Sequence, residues 1–170
     1  VKRKELMSLA ARPVTLAVVA VVVLGACDTR PDPDPTPHSG APDLTDVATR
    51  YAEAWSGQNP EALAAFYADD GTLIVNDGEP SVGRETIAAT AGGFMEAFPD
   101  MVVAMDSVVG EDGRATFYWT WTGTNTGPGG TGRSVDLSGY EEWTLDAEGR
   151  IVESRGHYDE AEYERQISGE

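Results

Sequence analysis

Three side chains near the end of the chain have the types needed for proton transfer. Glu141 lies in the alternating stretch from Ser134 to Leu145, and His157 and Asp159 close the segment GRIVESRGHYD. Alternation puts Glu141 on one strand face with Val135, Leu137, Gly139 and Trp143. If that face is inward, the carboxyl sits among apolar groups. Ionising it there is costly, so its proton affinity rises, which suits a general acid or base. The plainer alternative is a frayed strand in which Glu141 meets water or Arg155. Asp159 also has two readings. It precedes a Glu-rich helical pattern with Glu162 three residues on, the place of an N-cap. It also stands where a carboxylate could be aimed into a pocket, and both roles can hold at once.

Other chemistries fit less well. His38 and His157 are the two histidines, and neither has a partner at metal-ligand spacing. No metal and no cofactor is expected. Ser154 sits in a strand and not in a G-x-S-x-G elbow. GPGGTG, residues 127–132, matches G-x-G-x-x-G but lies between two strands. A dinucleotide site needs a strand before it and a helix after it, so the segment reads as a flexible hairpin loop. Tyr51, Trp55, Phe117, Trp119 and Trp121 are core candidates. Three large aromatics on one strand face could also line a cleft.

The elements that would position these groups follow from periodicity. Leu44, Val47, Ala48, Tyr51 and Trp55 form one helical face, with Asp43 as N-cap and Gly57 past the end. Asn59-Pro60-Glu61 opens a second helix with Leu63, Phe66 and Tyr67 as its apolar side. Asp70-Gly71 reads as a turn before a short strand, Thr72 to Asn76. A third helix runs from about Arg84 to Phe98, with Gly92-Gly93 a weak point inside it and a candidate kink. Strands follow at Val102 to Val109, Ala115 to Gly123, Ser134 to Leu145 and Ile151 to Tyr158, then a terminal helix. Helices first and a strand meander after is an α+β order.

The front of the chain is different. Lys2, Arg3, Lys4 and Arg12 precede an apolar run from Val14 to Leu24, which is the pattern of an export signal. Leu24-Gly25-Ala26-Cys27 resembles a bacterial lipobox. The resemblance implies a signal peptide at 1–26, cleavage before Cys27, and a lipid on the Cys27 sulfur. Cys27 is the only cysteine, so there is no disulfide. The next segment, DTRPDPDPTPHSGAPD, is Pro-rich and nearly free of apolar residues, and it reads as an extended tether over 27–43. The chain would then be exported and held by lipid at the outer face of the bacterial cell membrane. The net charge is −17, and residues 1–26 carry four basic and one acidic side chain, which leaves −20 on the remainder. Such a surface does not bind nucleic acid through phosphates. It is also repelled by anionic lipid, so contact with the membrane is through the anchor alone.

Residues 44–170 resemble the SnoaL-like polyketide cyclases of the nuclear transport factor 2-like superfamily. The likeness rests on YAEAWSGQNPEALAAFYADDGTLI, GRETIAATAGGFMEAFPD, WTWTGTNTGPGGTGRSVDLSGYEEWTLDAEGRIVE and GHYDEAEYERQIS, in that order. It implies a cone: a curved mixed β-sheet wrapped around three N-terminal helices, a cystatin-like α+β barrel around an apolar pocket. It implies Asp159 as the acid/base, Glu141 as a pocket acid, and Asn125 where the cyclases carry a histidine. Asn125 and His157 would hold an enolate oxygen. The ligand implied is a small apolar ketone, polyketide or sterol-like molecule, either bound or turned over by a cofactor-free cyclase or isomerase. The fold often dimerises through its sheet, so the resemblance also leaves open a homodimer and, as a third alternative, a protein-interaction domain.

Overall fold

A computed structural model describes residues 43–169. The expected signal peptide, Cys27, His38 and the tether up to residue 42 lie outside the described residues. Helix α1 (Leu44–Ser56) starts where the Asp43 carboxylate accepts from the Thr45 N–H at 2.8 Å, and it buries Val47, Ala48, Tyr51, Ala52 and Trp55. Helix α2 (Pro60–Ala64) is capped by Asn59. It is shorter than its apolar pattern suggested, because Tyr67 belongs to strand β1 (Tyr67–Val75). Asp70-Gly71 is correspondingly not a turn. It lies in an irregular stretch of β1, where the register against the last strand slips between Tyr67 and Thr72. A Cβ on Gly71 would come 2.8 Å from the Ile151 carbonyl oxygen, so glycine permits this approach.

The short strand β2 (Ser81–Val82) was not expected. Helix α3 (Arg84–Ala97) runs unbroken through Gly92-Gly93, and Gly92 faces Pro60 of α2 across 3.8 Å. That distance is from a Cβ added at Gly92 and is an ordinary contact, while a Cβ at Gly93 would meet open space. Four long strands follow: β3 (Val102–Glu111), β4 (Arg114–Thr124), β5 (Ser134–Leu145) and β6 (Ile151–Tyr158). Asp112 and Gly113 both have positive φ, which makes a tight two-residue hairpin between β3 and β4. Helix α4 (Glu160–Ser168) closes the described chain.

The sheet order is β2-β1-β6-β5-β4-β3. β1 and β6 run parallel and all other neighbours antiparallel, so the sheet is mixed, as expected. Its inner face meets the first three helices. Tyr51 of α1 packs edge-on against Phe117 and Trp143, which stack on each other with centroids 5.0 Å apart. Trp121 stacks on Tyr163 of α4. The Gln166 side chain pairs with both the N–H and the carbonyl of Asp136, which pins α4 to β5.

Gly139 sits mid-strand opposite Trp119, and a Cβ there would collide with the Trp119 ring and the His157 carbonyl oxygen. The glycine lets the indole lie flat across the sheet. Gly139→Ala should therefore destabilise the domain by about 1–3 kcal/mol, read as a lower denaturant midpoint with an unchanged slope.

Candidate functional site

The cone holds a half-open cavity of about 60 Å³. Trp55 comes to it from α1, Phe94 from α3, Trp119 and Trp121 from β4, and Tyr158 from β6. Aliphatic side chains, Met101 and Gly156 complete the wall, and Glu141 of β5 is its only acidic side chain.

Glu141 is 6% exposed. Its Oε2 accepts three hydrogen bonds: from Tyr51 Oη at 3.0 Å, from Trp143 Nε1 at 2.9 Å and from Ser154 Oγ at 2.6 Å. Tyr67 Oη lies 2.8 Å from Tyr51 Oη. Since Tyr51 gives its proton to the carboxyl, Tyr67 donates to Tyr51. Strand geometry explains the convergence. Trp143 is two residues from Glu141 on the same face, and Ser154 is the cross-strand partner of Trp143. Gly156 is the cross-strand partner of Glu141 itself. With no side chain at 156, space remains beside the carboxyl. Oε1 has no partner among the described residues, and Glu141 lines the cavity, which makes Oε1 the oxygen open to an occupant.

Burial pushes the Glu141 proton affinity above the ordinary glutamate range, against three hydrogen bonds that pull it down. Burial and the adjacent carboxylate push Tyr51 and Tyr67 up as well, so both stay protonated donors. Oε2 already takes three donors, which leaves Oε1 as the oxygen to take up a proton.

The other expected site residues are not brought to this point. Asp159 is exposed, and its Oδ1 accepts from the Glu162 N–H at 3.0 Å. It caps α4, and its carboxylate is not part of the cavity wall. His157 is half-exposed on the opposite face of β6 from Ser154, Gly156 and Tyr158. It stacks on Tyr140 at 4.7 Å, and its Nε2 is 3.4 Å from the Glu142 carboxylate. Asn125 organises the β4–β5 loop: its amide donates to the Ala97 carbonyl at 3.2 Å, and its Oδ1 accepts from the Thr131 N–H at 2.8 Å. The GPGGTG segment is fixed by these bonds and by Gly127 N–H to the Ala97 carbonyl, so it is a docked loop and not a loose one. Of the aromatics, Trp55, Trp119 and Trp121 line the cavity, Phe117 is core, and Tyr51 acts through Glu141.

Ser154, Gly156 and Tyr158 were missed as site residues, yet period-two alternation along β6 places them together and His157 opposite. Tyr67 and Phe94 carried no signal of this kind. Among the described residues no group of three or more His, Cys, Asp or Glu could hold a metal ion.

The architecture is that of a cone-shaped α+β domain with an apolar cavity and one buried acid. The model of the SnoaL-like polyketide cyclase family matches residues 45–167, and the chain belongs to that family. Solved structures agree on the fold. A protein described as SnoaL-like from Jannaschia sp. CCS1 is 21% identical over 74% of this chain and 92% of its own, with a TM-score of 0.66. A protein of ketosteroid isomerase-like fold from Catenulispora acidiphila, solved with trimethylamine, is 20% identical over 75% and 94%, with a TM-score of 0.66. TerC, co-crystallised with polyporic acid, is 12% identical over 73% and 97%, with a TM-score of 0.61. No curated protein matches the chain.

A carboxyl with raised proton affinity binds more protons folded than unfolded between its two pKa values. Stability therefore falls as pH rises across that window, and the loss is complete above it. Glu141→Gln keeps an acceptor for the three donors and removes the charge. Its melting temperature should exceed that of wild type by a few degrees at pH values above the window. The difference should close as pH drops toward the ordinary carboxylate range. Thermal unfolding followed by circular dichroism across pH measures it.

Proposed function

We propose that the domain binds a compact small molecule inside the cone, presented outside the cell by a lipid tether on Cys27. Glu141 carries this reading. A buried acid costs stability, and here one carboxyl oxygen is locked by three donors while the other is left to whatever occupies an aromatic cavity. Two structures of the same fold were solved with small molecules, trimethylamine and polyporic acid, which supports a ligand role. The cavity, about 60 Å³, is small and half-open. A ketone or polyketide larger than that would enter with part of its body. Proton transfer to such a ligand is the second reading. It is favoured by the raised proton affinity of Glu141 on the cavity side, and it assigns the acid/base role to Glu141 in place of the exposed Asp159.

Native mass spectrometry of the full chain against a library of apolar ketones, sterols, polyketides and amines tests the binding role. An adduct is expected in wild type. It should be lost in Gly156→Ala, whose Cβ fits at 3.6 Å from Glu141 Cγ and fills the space beside the carboxyl. In deuterium oxide the same screen reports exchange beside a ligand carbonyl, the mark of proton transfer. No adduct from any class would sink the proposal. Replacing Cys27 with Ala should move the protein from the membrane fraction to the soluble one, and unchanged fractionation would refute the tether.

A further inference from the structure

The missing partner of Glu141 indicates what the cavity takes. No Lys, Arg or His joins the carboxyl in the wall, and none of the ion pairs among the described residues includes it. The groups facing it are neutral: Tyr51 from α1 with Tyr67 of β1 behind it, Trp143 from its own strand, and Ser154 from β6, with Tyr158 of β6 in the wall. A buried carboxylate either finds a cation or gives up its charge. Around it stand Trp55, Phe94, Trp119, Trp121 and Tyr158. Aromatic faces carry negative charge density and attract ammonium groups, more so when these are desolvated. The net charge of −17 adds a field that concentrates cations near the protein.

The buried Trp119 and Trp121 N–H groups have no acceptor among the described residues, which gives a neutral acceptor ligand a competing claim. With such a ligand Glu141 would have to hold a proton, whereas a cation pairs with the ionised form. We propose that the cavity binds a compact organic cation, a tertiary or quaternary methylated ammonium group, with Glu141 Oε1 as counter-charge and the five aromatic side chains as walls. This rests on the small-ligand reading above and names its ligand class. Affinity rises with pH through the titration of Glu141, because the cation pairs with the ionised form; Tyr51, Tyr67 and Tyr158, all pushed up by burial, stay neutral throughout.

The test is an NMR titration of the indole N–H resonances of the full chain, with tetramethylammonium chloride and with the similarly sized, neutral tert-butanol, at matched ionic strength. Tetramethylammonium should shift the Trp55, Trp119 and Trp121 signals saturably and bind more tightly than tert-butanol. Glu141→Gln should weaken it by about thirtyfold or more while the spectrum stays folded. Equal or tighter binding of tert-butanol, or unchanged binding in Glu141→Gln, would overturn the cation inference and leave a small-ligand cavity. No saturable shift with tetramethylammonium also overturns it, and the library screen then decides the binding role on its own.

Discussion

The hydrogen bonds that converge on one oxygen of Glu141 organise the interior. They tie α1 to β5 and β6, and through Tyr67 they reach β1. An ionised carboxylate in an apolar cone is unfavourable, and three donors on one oxygen offset part of that cost. The same arrangement sets the polarity of the cavity. Oε2 is spent on structure, and Oε1 has no partner among the described residues. Tyr51 is thus a positioning residue: its ring packs in the core against Phe117 and Trp143, and its hydroxyl orients the acid.

Two glycines make this possible on a crowded sheet. Gly139 accepts the face of the Trp119 indole, and Gly156 leaves room across from Glu141. Both interrupt strands where β-branched residues are usual. At Gly139 the gain is packing of a wall residue. At Gly156 it is open volume next to the carboxyl. The cavity is therefore written into the sheet by absent side chains as much as by aromatic ones.

The long elements were legible because periodicity and caps agreed. β5 and β6 begin and end where alternation placed them, and Asp43, Asn59 and Asp159 are the caps expected. Glu141 was legible too, since its face is shared with Leu137 and Trp143. The failures have local physical causes. Asp70-Gly71 has turn composition, yet parallel pairing with β6 draws it into an irregular strand. Gly92-Gly93 looks like a breaker, yet α3 continues through both residues, since glycine lowers helix propensity without forbidding the helix. The largest difference lies at the end of β6. Asp159 and His157 have reactive side chains, while Ser154 and Gly156, which lie beside Glu141, are chemically plain. Alternation assigns His157 to the outer face and the plainer residues to the cavity. Which helical aromatic would reach that cavity, as Phe94 does, depends on tertiary packing and is not encoded in any local pattern.

Burial in the cone raises the proton affinity of Glu141. Following the side-chain carboxyl carbon of Glu141 by NMR through a pH titration measures this directly, with Glu141→Gln assigning the signal. The expected result is a midpoint above the ordinary glutamate range. A midpoint within or below that range would mean that the carboxyl is solvated or paired, and would contradict the account.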